Sequence, residues 1–169
     1  IKENAKTFED VRIGAAAVEA WGVKDCPFKL DDWNQAARRF VLDADIDKPQ
    51  NGGARDIASS VATSLRLGFT FRSSPSPATA IDLLQQGRRE DGGWAKSGEK
   101  TSDAETTYRV IRAFVLLKAK PNSPERVRQF LVSCRNKDGG FASKPGDPST
   151  VGGTYQFAII TKWLDEMEK

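Results

Sequence analysis

The densest group of side chains able to do chemistry is the acidic run Asp43-Ala-Asp45-Ile-Asp47. Neighbouring carboxylates repel one another when ionised, which can raise the pKa of one and turn it into a proton donor. Beside Pro49 and Gly52-Gly53, the same composition also suits a solvated turn. A calcium-loop reading fares no better: Asp43, Asp45 and Asp47 suit its start, but Lys48 stands where such a loop needs its turn glycine and Ala54 where it needs its closing glutamate. A second pair, Asp103 and Glu105, could share acid–base work. It equally suits a helix cap followed by a first-turn acid, placed where the helix dipole favours negative charge. Cys26 and Cys134 have no metal-ligand spacing and are too few for a disulfide framework. Histidine is absent, which excludes any mechanism in which this chain itself supplies an imidazole base or ligand. No metal and no cofactor is expected.

The elements that would position these groups must come from a chain of 169 residues, enough for one domain with its own core. The 26 basic and 23 acidic residues leave a net charge of +3, with the basic ones scattered. A nucleic-acid or membrane-surface partner would require a concentrated patch, so neither is expected. No apolar run approaches the length of a membrane span, and a soluble protein is expected. The first residue is Ile1 rather than Met, which leaves room for a removed signal peptide and leaves the compartment open.

The chain is organised by a repeat. Shifted by 47 residues without a gap, Ser76-Pro77 falls on Ser123-Pro124, Arg88 on Arg135 and Thr107-Tyr108 on Thr154-Tyr155. Asp91-Gly92-Gly93-Trp94 falls on Asp138-Gly139-Gly140-Phe141. A fixed period of this length marks an architecture of stacked units, each burying its apolar face on the next. Residues 76–122 and 123–169 are read as two copies and residues 1–75 as degenerate N-terminal helices, all within a single domain, 1–169. Asp56, 47 residues before Asp103, hints at an earlier copy without the Asp-Gly-Gly-aromatic element.

Helical periodicity predicts seven helices and no sustained strand. The first is capped by Thr7, carries Phe8, Val11, Ala15, Val18 and Trp21 on one side, and stops at Gly22. The second starts at Asp31 or Asp32 and carries Trp33, Ala37, Phe40 and Val41. Asp56 is expected to cap the third, Ser76 the fourth with Pro77 at its first position, and Ser102 or Asp103 the fifth. The fifth bears Tyr108, Ile111, Phe114, Val115 and Lys118. The sixth starts at Ser123-Pro124, and the seventh runs from about Val151 to Met167. In each Asp-Gly-Gly-aromatic element the glycines permit a sharp turn, and the aromatic folds back as a wedge between helix pairs. Structural glue accounts for these residues.

The string Phe130-Leu-Val-Ser-Cys134-Arg-Asn-Lys-Asp138-Gly-Gly-Phe141, with Lys144-Pro-Gly146 and Gly153-Thr-Tyr155, resembles the repeat of protein-prenyltransferase β-subunits and squalene cyclases. The resemblance is clearest over residues 76–169. It implies an α/α toroid of inner and outer helices around a central cavity that takes isoprenoids. In the cyclases a Gln stands six residues before the aromatic; here Arg88 and Arg135 occupy that place, and arginine only donates. The prenyltransferases hold zinc through an Asp-x-Cys step before the Tyr of this helix and a later His. The matching positions are Gly152 and Thr154, and Glu105 and Thr107 one repeat earlier, which do not make a zinc site. The cyclase acid motif Asp-x-Asp-Asp is approached at Asp43 to Asp47, with Ile46 in place of its last Asp.

Fold class is therefore expected to be all-α: helical hairpins of 47-residue period forming part of an α/α toroid. Seven helices leave the ring open, so another protein, or the rest of a larger chain, is expected to complete it. The leading functional expectation is a non-catalytic, prenyltransferase-like module that binds a protein or acts as an accessory subunit. Its contacts would come from the inner helices, chiefly Tyr108, Arg112, Tyr155 and Gln156. The competing expectation is an isoprenoid-handling enzyme, with its acid from Asp43, Asp45 or Glu105 and aromatic walls from Trp33, Trp94, Tyr108 and Phe141.

Overall fold

The computed structural model describes residues 8–22, 53–68 and 76–169. Six helices lie among them: α1 (Phe8–Trp21), α2 (Ala54–Arg66), α3 (Pro77–Gln86), α4 (Ala104–Leu116), α5 (Pro124–Ser133) and α6 (Val151–Met167). The only strand-like pairing among the described residues is two isolated antiparallel bridges, Arg88 with Trp94 and Arg135 with Phe141. The helix expected from Asp31 or Asp32 lies outside the described residues, as do the acidic run Asp43 to Asp47 and the expected cap Thr7.

The helices form two layers. α1, α2, α4 and α6 stand side by side in a row, each against the next, while α3 lies behind α2 and α5 behind α6. The core fills the space between the layers with Ile57, Val61, Leu84, Trp94, Ile111, Phe114, Phe130, Leu131, Ile160 and Leu164. A smaller cluster of Ala15, Val18 and Leu67 fixes α1 to the end of α2. Trp21, expected on the apolar side of α1, is instead 62% exposed. It lies in the last turn, just before Gly22 takes a left-handed φ of 95° and ends the helix.

The Asp-Gly-Gly-aromatic element works the same way in both places where it occurs. Asp91 accepts hydrogen bonds from the backbone N–H of Gly93 and from Ser102; Asp138 accepts from Gly140 N–H and the Ser149 hydroxyl. The acid therefore ties its own turn to the segment that leads into the next inner helix. Trp94 is fully buried, donates its indole N–H to Leu84 O at 2.7 Å, and meets Phe114 with ring centroids 6.2 Å apart. Phe141 instead stacks on Phe157. Each aromatic thus folds back against the inner helix that follows it, α4 or α6.

Caps are where local sequence and structure part. Ser76 and Asp103 cap as expected, accepting from Thr79 N–H and Thr106 N–H. Ser123 matches Ser76 in sequence but takes φ 50° and makes no cap bond, while Arg88 from the preceding element donates to the carbonyls of Asn122 and Ser123. Asp56 is no cap either: α2 begins earlier, from Gly53, and Asp56 falls in its first turn. Lys118 lies beyond α4. It takes φ 54° in a Schellman-type stop, with Ala119 N–H bonded to Phe114 O and Lys118 N–H to Val115 O.

Candidate functional site

The row of inner helices presents one face to the core and the other away from α3 and α5. On the second face lies a cleft of about 320 Å³ lined by residues of α1, α2, α4 and α6 and by none of α3 or α5. The Asp103 cap sets the register of α4, placing Glu105, Tyr108, Arg109 and Arg112 along one stripe at helical spacing. α2 contributes Thr63 and Arg66, α1 contributes Arg12 and α6 contributes Gln156.

Glu105 opens this stripe, in the first turn of α4. Its Oε1 accepts from Arg109 at 2.7 Å and from Arg55 at 2.9 Å. Burial alone would raise its pKa, but the Arg109 hydrogen bond and the two guanidinium charges outweigh burial and hold it below the ordinary glutamate value. Glu9 is likewise held low, chiefly by its hydrogen bond from Arg12. Asp56 is pushed the other way by burial, yet it does not line the cleft. The carboxylate with reach is thus kept ionised, and the one with a raised pKa lacks reach.

Arginine dominates the rest. Arg12 pairs with Glu9, and Arg66 Nε lies 2.9 Å from Glu19. That approach is poorly aligned, because Arg66 Nε is left without a hydrogen bond. Burial lowers the Arg66 pKa, and the charge of Arg112 is the next cause. Of the five arginines on this side (Arg12, Arg55, Arg66, Arg109 and Arg112), only Arg112 has no carboxylate within salt-bridge distance among the described residues. Tyr108 stacks on Trp163 at 5.2 Å, and burial and the Tyr155 hydroxyl push its pKa up.

Of the four inner-face residues expected from sequence, Tyr108, Arg112 and Gln156 line this cleft. Tyr155 touches Tyr108, with ring centroids 6.1 Å apart, but lies outside the lining and is 55% exposed on the free edge of α6. Trp94 and Phe141 do not line the cleft: Trp94 is buried in the core between the layers, and Phe141 is buried against Phe157. Arg12, Arg66 and Arg109 were not expected. The spacing of Glu105, Arg109 and Arg112 (i, i+4, i+7) is the signal that could have found Arg109; nothing local points to Arg12 or Arg66.

The positions equivalent to metal ligands have other work. Thr107 Oγ1 accepts the backbone N–H of Trp94 at 3.1 Å, and Thr154 Oγ1 that of Phe141 at 3.1 Å. Gly152 offers no side chain. Among the described residues, no group of three or more His, Cys, Asp or Glu side chains is placed to hold a metal ion.

The sequence model of the prenyltransferase alpha-alpha toroid domain matches residues 35–168. The chain belongs to that family. No curated protein matches it. The match spans α2 to α6, reaching further toward the N-terminus than the clear repeat over 76–169. It leaves out α1, which nonetheless gives Arg12 to the cleft. The all-helical, two-layer arrangement agrees with part of such a toroid, and no described helix is long and apolar enough to cross a membrane.

Proposed function

We propose that this chain is a non-catalytic member of the prenyltransferase toroid family, and that the face bearing the arginine cleft binds a protein partner. The observation that carries this reading is the environment of Glu105. A general acid must hold a proton near working pH, whereas Glu105 is clamped as a carboxylate between Arg55 and Arg109. Thr107 and Thr154, at the places where the related enzymes keep ligands, spend their hydroxyls on the wedge backbone. Helical arcs of this kind offer extended concave surfaces suited to protein binding.

The test has two arms. Incubation with farnesyl or geranylgeranyl diphosphate and a cysteine-bearing acceptor peptide, and separately with squalene, should yield no transferred or cyclised product. The endogenous protein should run on native sizing as part of an assembly larger than its own chain. Product formation, or a lone monomer under all conditions, overturns the reading.

A further inference from the structure

We infer that the arginine cleft is a receptor for an acidic peptide segment, with Arg112 and Arg66 taking two of its carboxylates. This rests on the protein-binding reading above and names the chemistry of the partner at that site.

Two observations point the same way. Arg112 faces the cleft with no carboxylate partner among the described residues, although every other arginine on this side has one. Arg66 lines the same cleft, and its Nε, 2.9 Å from Glu19 but too poorly aligned for a hydrogen bond, leaves the guanidinium only partly engaged. Guanidiniums that are unpaired or poorly aligned can still donate charge-assisted hydrogen bonds to an incoming carboxylate. A ligand with two carboxylates would satisfy both guanidiniums at once.

The lining also selects the class of ligand. Ala58 and Ala62 are its only wholly apolar side chains, too little wall for a long hydrocarbon. Glu9, Glu19 and Glu105 are interleaved with the arginines and would repel the continuous charge of a nucleic-acid backbone. Separate carboxylates on a flexible chain avoid those acids. Arg66 and Arg112 lie on adjacent packed helices, whose axes are typically about 8–10 Å apart. Alternate side chains of an extended peptide repeat at about 6.6 Å. Acidic residues two apart are therefore within reach of both guanidiniums, and each can be held by a two-point fork.

The test is fluorescence anisotropy with a labelled nonapeptide in which Glu alternates with Ala or Ser, and a matched peptide carrying Gln at each Glu. The acidic peptide should bind saturably and more weakly as salt is raised, and the Gln peptide should not bind. Arg112→Gln should weaken binding roughly tenfold or more, and Arg112→Lys by less, since charge remains while the fork is lost. Lys118→Gln, beyond the end of α4 and outside the cleft, should leave binding unchanged. A thermal melt of Arg112→Gln matching the wild type shows that the loss is not unfolding.

Equal binding of both peptides, or full binding by Arg112→Gln, overturns the inference. If neither peptide binds while the protein still sits in a larger assembly, this inference fails and the protein-binding reading stands. If farnesyl diphosphate displaces the peptide and is turned over, the non-catalytic reading fails as well.

Discussion

Thr107 and Trp94 are joined by a buried hydrogen bond in which the threonine hydroxyl accepts the backbone N–H of the wedge residue at 3.1 Å. The bond recurs 47 residues later between Thr154 and Phe141, at the same distance. A position that could have carried a metal-binding thiolate instead secures the turn between outer and inner helices. Thr107→Val keeps the shape and removes the acceptor. It should cost about 1–3 kcal/mol, the usual penalty for an orphaned buried N–H. Thr154→Val should cost less, because Thr154 is exposed and water can replace it. Urea denaturation with an unchanged m-value measures both. No loss at Thr107 would show that the bond is incidental.

Glu105 makes stability depend on pH in a predictable direction. Its folded pKa lies below the ordinary value, so its contribution is fully present above the unfolded glutamate pKa of about 4.3 and is lost as pH falls through the lower folded value. The side chain is 38% exposed, so solvent screening keeps the effect modest. Thermal melts of the wild type and Glu105→Gln should diverge near neutrality and converge toward pH 3. A constant difference across that range would mean that the ion pairs with Arg55 and Arg109 contribute nothing.

Much of the architecture was legible because the repeat writes the same hinge twice. Asp91 and Asp138, each followed by two glycines and an aromatic, turn by local backbone geometry and bond partners within the same repeat, so local rules carried through to structure. Ser76, Pro77 and Asp103 began their helices as expected for the same reason. Ser123 misled because its conformation accompanies contacts with Arg88, 35 residues away, which a capping rule cannot see. Asp56 misled because an acid in a first turn and an acid at a cap answer to the same dipole, and Gly53 had already taken the cap position. The cleft was half legible. Tyr108, Arg112 and Gln156 follow from knowing which helices are inner, but Arg12 and Arg66 join them only through the packing of α1 and α2.

Cys134 should be inert in the folded protein. It is buried, and burial pushes its thiol up to about 11 despite a hydrogen bond involving Ser133. At pH 8 roughly 0.1% of such a thiol is ionised, against about a quarter of an unperturbed one. Alkylation of Cys134 in a Cys26→Ser background should therefore run at least two orders of magnitude slower in buffer than in denaturant. Comparable rates would place the thiol at the surface and contradict the packing of α5.

The second residue of the hinge tests whether the two copies are equivalent in packing as well as in sequence. Gly92 and Gly139 both adopt left-handed φ, 96° and 86°, so alanine at either pays a backbone penalty of about 1–2 kcal/mol. Their surroundings differ. A Cβ on Gly92 would lie 2.2 Å from the carbonyl oxygen of Arg126 in α5, whereas one on Gly139 would meet nothing within 4 Å. Gly92→Ala must add an overpacking cost, for a total of about 2–5 kcal/mol, and Gly139→Ala should show the backbone penalty alone. Gly92 is pressed because the hinge that contains it is covered by the next outer helix, while nothing described covers Gly139. Equal losses in chemical denaturation would mean that α5 does not close over the first hinge. If a partner packs beyond α6 and covers the second hinge, Gly139→Ala should weaken that assembly while leaving the isolated chain nearly as stable as the backbone penalty allows.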